Sequence, residues 1–304
     1  MNKKNFFSVI LLTFGALVWG SAFIFQDMGM DYVGPFTFNV FRCLICTIFL
    51  VLVSLILFLI NKKKEKKIKT TYKNKDLFIG GLISGLFTAL AMSTQQIGIL
   101  LEGAGRSGFI TSLYIIFVPL IGLFFGKKVN PLVLIAIVFS LTGLYLININ
   151  GGEFAFSLGS MFLLLCALFY ALQIIAIDRY TPRCDSIKLT AAQFLVSGII
   201  QIPFLFIFET LDFQKLLEGL LPILYCGIMS SGIGFTIQIH TQKHIDPTIA
   251  SLIMSLESVF SIIFASIILK ETYSIFEILG CIAIFISVII TQIPISIFKK
   301  KKNL

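Results

Sequence analysis

Residues 35 to 76 read PFTFNVFRCLICTIFLVLVSLILFLINKKKEKKIKTTYKNKD: residues 35 to 60 hold one charge, Arg42, and the next sixteen hold eight lysines. An apolar run of that length crosses a ~30 Å hydrocarbon layer as a helix. Backbone amides in lipid must bond within their own segment, which makes a helix and not a strand the spanning element. A dense lysine run directly after it is the mark of a loop kept on the cytoplasmic side.

Outward from that stretch, apolar runs recur along the 304-residue chain near 6–27, 35–60, 77–100, 104–126, 131–149, 156–178, 187–208, 218–239, 247–269 and 274–297. The expected fold is all-α and integral to the membrane, with ten transmembrane helices. Composition agrees, at 57% hydrophobic and 13% charged, because a soluble fold is only about half apolar. Lys3 and Lys4 ahead of the first run imitate a secretory signal, yet the run continues through Trp19 to Phe25. It is read as an uncleaved first span.

The net charge of +9 raises nucleic acid as a partner, but the basic residues sit in short segments between apolar runs and form no foldable domain. Placing the N-terminus inside gathers Lys3, Lys4, the eight lysines from Lys62 to Lys75, Lys127, Lys128, Arg179, Arg183, Lys188, Lys243 and Lys299 to Lys302 on one side, twenty in all. Only Arg106, Lys215 and Lys270 fall outside. Ten spans with this asymmetry put both termini in the cytoplasm. The lysine loop reads as a topological anchor, with anionic lipid headgroups or a regulatory contact as the alternative. Six cysteines lie mostly within apolar runs and lack metal-ligand spacing, so no redox or metal role is assigned.

The chain also repeats itself weakly. An offset of 151 residues sets Ala16-Leu17 over Ala167-Leu168, Trp19 over Tyr170 and Arg42 over Gln193. Span 9 falls on span 4, with Ser112, Leu113, Tyr114 and Phe117 matching Ser255, Leu256, Glu257 and Phe260. Two homologous halves of five spans, 7–147 and 155–293, must face opposite sides of the membrane, the inverted-repeat plan of many carriers. Tyr114 and Glu257 then occupy matching positions that face a shared axis.

Trp19-Gly20-Ser21-Ala22-Phe23 in span 1, Pro35 to Arg42 entering span 2 and Ser255-Leu256-Glu257-Ser258-Val259-Phe260 in span 9 carry a resemblance. In that order, over nearly the whole chain, they resemble the drug/metabolite transporter superfamily and its ten-span branch of two EamA domains. Ser258 stands where the family has proline, and Lys270-Glu271 where it has Gly-Glu. The resemblance implies a basket in which spans 1, 3, 4, 6, 8 and 9 surround a central cavity. It also implies movement of amino acids and related metabolites, often outward.

Glu257 is the only acid deep in a span, and an intramembrane carboxylate is costly enough to need a reason. It could carry a coupling proton, bind a substrate ammonium, or tie span 9 to a neighbour. Arg42 lies seven residues past Pro35, roughly two helical turns into the membrane, where it could hold a substrate carboxylate or snorkel to the interface. Trp19, Gln26, Gln95, Gln96, Tyr114, Gln173 and Gln238 supply polar and aromatic groups that either line one cavity or join helices. Trp19 sits mid-span, where an interfacial belt does not account for it. Gly80, Gly81, Ser84 and Gly85 in span 3 and Gly227, Gly232 and Gly234 in span 8 read as close-packing positions, and the 32 phenylalanines as lipid-facing or core bulk.

Catalytic motifs, nucleotide-binding glycine loops and zinc signatures do not occur. His240 and His244 lie one turn apart beside Asp246 without a further ligand and read as interfacial. The sequence therefore points to a secondary transporter of small metabolites such as amino acids, working by alternating access without cofactor or metal, embedded in the lipid bilayer, for which a monomer is sufficient. The main alternative is a membrane-embedded enzyme acting on lipid or lipid-linked substrates.

Overall fold

The structure is a computed structural model that describes residues 3–63, 73–126, 131–148, 157–269 and 274–291. Four of the eight lysines between 62 and 75, namely Lys64, Lys66, Lys67 and Lys69, lie outside the described residues, as do Lys127, Lys128, Lys270, Glu271 and Lys299 to Lys302. Among the described residues every element is helical. They are α1 (Lys3–Met30), α2 (Pro35–Lys63), α3 (Asn74–Thr111), α4 (Tyr114–Phe124), α5 (Pro131–Asn148), α6 (Leu158–Tyr180) and α7 (Ser186–Phe208). After these come α8 (Phe213–Glu218), α9 (Leu220–Tyr225), a π-helical segment (Cys226–Gly234), α10 (Phe235–Thr241), α11 (Pro247–Met254), α12 (Leu256–Leu269) and α13 (Ile275–Thr291).

Among the described residues eight helical segments are long and apolar enough to cross a membrane, and two shorter apolar helices, Pro131–Leu146 and Ile278–Ile290, stand where the fifth and tenth spans are expected. Their lipid-facing sides are apolar, as on α2, where Ile48, Val51, Leu52, Leu55 and Ile56 are exposed. The chain is thus an all-α bundle with at least eight segments of spanning length.

Four of the expected spans are not simple helices. The third and fourth run together through α3 and change direction at Gly103, whose φ of 77° is a left-handed backbone that favours glycine. The fourth is broken again at Ser112–Leu113, and the ninth at Ser255 between α11 and α12. Ser258 removes the proline that would explain a kink in span 9, yet the break occurs three residues earlier. Serine hydroxyls account for it: Ser255 Oγ bonds the Leu252 carbonyl at 2.8 Å, and Ser258 Oγ bonds the Gly108 carbonyl of α3 at 3.1 Å. Side-chain bonds to nearby carbonyls bend helices. Span 8 widens into nine π-helical residues where a plain α-helix is expected.

Helix packing follows the small residues. A Cβ on Gly81 would lie 2.7 Å from Ala192 Cβ, and one on Gly85 2.7 Å from the Gln193 carbonyl, so α3 and α7 approach as only glycine allows. The principal packed pairs are α3 with α6 and α7, α2 with α7 and the π segment, α1 with α12, α4 with α6, and α5 with α13.

The start of α2 is capped from the other half of the chain. Gly34 accepts the first helical bond from Phe38 but has no side chain to cap with. Glu209, just past α7, accepts from the Phe36 and Thr37 amides, each at 2.8 Å, and from the Thr37 hydroxyl at 2.6 Å. Three bonds to one carboxylate at a helix N-terminus join the ends of α2 and α7. Glu209→Ala is expected to lower stability by about 2 kcal/mol, read as a lower melting temperature in detergent, with Glu209→Gln losing less. Equal melting of the alanine variant and the parent would remove this cap as a stabilising contact.

Candidate functional site

A central cavity, partly open, spans about 450 Å³ of non-atom space with open solvent included, and about 40 Å³ of it can hold the centre of a water molecule. Its wall contains Glu257, Trp19, Tyr114, Gln95, Gln173, Gln238 and Arg42, the seven candidates taken from the sequence. Gln26 lines it as well. Gln96 does not; its amide is turned aside to donate to the Gln26 carbonyl at 3.1 Å. Arg42 brings span 2 into a wall expected from spans 1, 3, 4, 6, 8 and 9. Tyr170, Phe23 and Phe235 also line the cavity. Tyr170 is the residue that the repeat sets over Trp19, and both pack against Phe235, with ring centroids 6.3 and 5.3 Å away.

Arg42 is buried and does not snorkel. Its Nε donates to Ser231 Oγ at 2.7 Å, Nη1 to Gln26 Oε1 at 2.7 Å and Nη2 to Ser230 Oγ at 2.9 Å. These use three of the five guanidinium N–H groups. All three acceptors are neutral, and among the described residues no carboxylate lies within ion-pair distance of the guanidinium.

The π segment makes this arrangement possible. Two consecutive serines serve one guanidinium, while the Ser230 carbonyl accepts from Trp19 Nε1 at 3.3 Å. Gly227 and Gly232 keep the widened turn close to α2, where an added Cβ would lie 2.7 Å from Ile45 and 2.8 Å from Phe49. Such segments are rare and occur frequently at functional sites.

Glu257 lies in the first turn of α12 and lines the same cavity. Its Oε1 accepts from the Tyr114 hydroxyl at 2.9 Å and, more weakly, from Ser112 Oγ at 3.4 Å. No cation pairs with it among the described residues. Gly20 sets its depth, because a Cβ there would fall 2.7 Å from the Glu257 carbonyl, so α1 lies against the α12 backbone. Ser21 beside it bonds the Tyr225 hydroxyl at 2.5 Å. The Trp-Gly-Ser stretch thus supplies a cavity wall, a close approach and a link to α9.

The glutamines pair across helices. Tyr170 donates to Gln95 at 3.2 Å, and Gln238 donates to Gln173 at 3.3 Å, leaving the buried Gln173 Nε2 without a partner. His240 and His244 lie edge to face with centroids 6.2 Å apart, and Asp246 caps α11 through the Thr248 amide. Among the described residues no group of three or more His, Cys, Asp or Glu could hold a metal.

The sequence profile of the EamA-like transporter family matches residues 6–149 and again 157–293. The chain belongs to the EamA-like transporter family. An uncharacterized transporter of Archaeoglobus fulgidus is 26% identical over 293 residues, covering 96% of this chain and 88% of the relative. The uncharacterized transporter YoaV of Bacillus subtilis is 24% identical over 279 residues, covering 88% and 90%. A solved crystal structure superposes with a TM-score of 0.73 at 17% identity, covering 94% of this chain and 96% of that one, a likeness of fold. Family and relatives make this EamA-like chain a multi-pass membrane transporter and set the enzyme alternative aside.

Removing either serine would leave a buried guanidinium N–H without its acceptor. Ser230→Ala and Ser231→Ala are each expected to lower stability by about 2 kcal/mol, the range for a bond to a charged group, seen as a fall in melting temperature. Unchanged melting of both would show that the guanidinium finds other acceptors.

Proposed function

We propose that the chain is a secondary transporter that carries small zwitterionic metabolites, amino acids being the simplest class, out across the cytoplasmic membrane by alternating access. One observation carries this: a single cavity holds a buried guanidinium and a buried carboxyl group, and neither has an ion-pair partner among the described residues. An α-amino acid offers a carboxylate for the two remaining N–H groups of Arg42 and an ammonium for Glu257. Trp19, Tyr114 and Tyr170 would face its side chain, and Gln95, Gln173 and Gln238 its polar edge.

We read the bundle as ten spans in two inverted repeats, 7–147 and 155–293. The packing supports this. Exchanging span 1 with 6, 2 with 7, 3 with 8, 4 with 9 and 5 with 10 turns α3–α6 contacts into those of α1 with the π segment, and α1–α12 contacts into α4–α6. The aligned serines, Ser112 and Ser255, both mark breaks. Tyr114 and Glu257, also aligned, hydrogen-bond each other. Equivalent residues touch only near a two-fold axis.

The distribution of Lys and Arg supports cytoplasmic termini, and the family resemblance supports the outward direction. Glu257 is the group we assign to a coupling proton. Both halves lie in one chain, so a monomer suffices.

Proteoliposome flux of a labelled amino-acid panel tests this. At least one amino acid is expected to be carried, with Glu257→Gln losing most of its flux and pH dependence. Arg42→Lys is expected to lose roughly tenfold in apparent affinity, since an ammonium cannot reproduce the bidentate fork. Folded protein that carries no member of the panel would overturn the substrate class, and an unaltered Glu257→Gln variant would make that carboxyl structural.

A further inference from the structure

The loop-side end of the cavity is closed by unusual material. Gln173 and Ile174 of α6 and Gln238 of α10 form the wall there. One turn further along, Gln242 continues the same face and donates to the Ile174 carbonyl at 3.1 Å. A seam meant to stay shut is most cheaply filled with apolar side chains. This one carries three buried amides in a row, and two of their atoms, Gln173 Nε2 and Gln242 Oε1, have no partner. A buried polar atom without a partner is destabilising by about 1–3 kcal/mol, and water or a solute in the seam would satisfy both atoms.

Beyond the amides the seam is shut by a clasp. Thr181 Oγ1 bonds the Ile239 carbonyl at 2.5 Å, and Lys243 Nζ bonds the Cys184 carbonyl at 2.9 Å, tying the α6–α7 connection to the end of α10. Ile177, Cys184, Leu189 and Ile239 pack beneath it. The end of the bundle joined by Glu209 has three bonds to one carboxylate, whereas the clasp consists of separate bonds to main-chain carbonyls.

We propose that the seam between α6 and α10 is the solute path between the cavity and the membrane face bearing residues 181–185 and 242–246, with Gln173, Gln238 and Gln242 as its lining and the Thr181 and Lys243 bonds as its gate. It would take a small polar solute that both donates and accepts hydrogen bonds. The inference rests on the transport reading.

The test is thiol accessibility. Five of the six native cysteines are buried; all are replaced by alanine, which keeps the Cys184 carbonyl in place. Gln238→Cys and Gln242→Cys are introduced singly, with His244→Cys on the exposed loop marking the face. A membrane-impermeant methanethiosulfonate is applied to spheroplasts and to inside-out vesicles. Both seam cysteines are expected to react from the face that labels His244→Cys. Adding Thr181→Val, or separately Lys243→Met, should speed their labelling about fivefold, as loss of about 1 kcal/mol of closure implies. Labelling only from the opposite face, or no acceleration in either clasp variant, would overturn the path. Amino-acid flux is measured on vesicles holding the His244→Cys protein, in which the seam glutamines and the clasp are intact. Flux without the expected labelling would reject the seam alone, and the expected labelling without flux would reject the transport reading and leave the seam as an access route.

Discussion

A guanidinium held inside a membrane bundle by neutral oxygens is the interaction around which the rest is arranged. Removing Arg42 from water is strongly unfavourable unless its N–H groups are satisfied, and the acceptors come from α1 and from the π segment of span 8. That requirement joins three spans at one depth. It also accounts for the local widening of span 8, because Ser230 and Ser231 both reach the same side chain while the Ser230 carbonyl remains available to Trp19. The residual charge of Arg42 then falls within the cavity.

The carboxyl group in the wall is placed by different means. Glu257 follows the break at Ser255, so its carboxyl meets the hydroxyls of Tyr114 and Ser112 from the first half of the chain. Gly20 lets α1 lie directly against the same turn. Helix breaks made with serine hydroxyls, in place of a proline, hold the α12 start through bonds that can be exchanged. On the alternating-access reading proposed above, a site that opens in turn to two sides needs such replaceable contacts.

Much of this was legible in the sequence because lipid imposes a simple length and polarity code. Apolar runs of spanning length located the helices, and Arg42 and Glu257 stood out as charges within such runs. Offsets from helix ends gave the depth of those two, and the family resemblance implied which spans surround a cavity, which is why seven scattered residues could be grouped. Other features left little trace. Nothing in Cys226 to Gly234 distinguishes a π segment from close-packed glycines, since the widening answers to Arg42 on another helix. Phe23 and Phe235 are chemically identical to the phenylalanines facing lipid. Gln96 neighbours Gln95 but points a helical step away. The Glu209 cap depends on two segments far apart in the chain, although Gly34 before Pro35 hints at a cap supplied from elsewhere.

A guanidinium and a carboxyl group in one cavity, neither with an ion-pair partner among the described residues, make a demand on the ligand that can be measured without transport. Binding to the purified protein, followed by thermal shift or calorimetry, should be compared for an amino acid, its carboxyl amide and its N-acetyl derivative. Binding of the zwitterion alone, with both derivatives weakened about a hundredfold, is the expected result, each having lost about 3 kcal/mol of charge-assisted contact. Equal binding of all three, or tighter binding of either derivative, would contradict the pairing of Arg42 and Glu257 with a single zwitterionic solute.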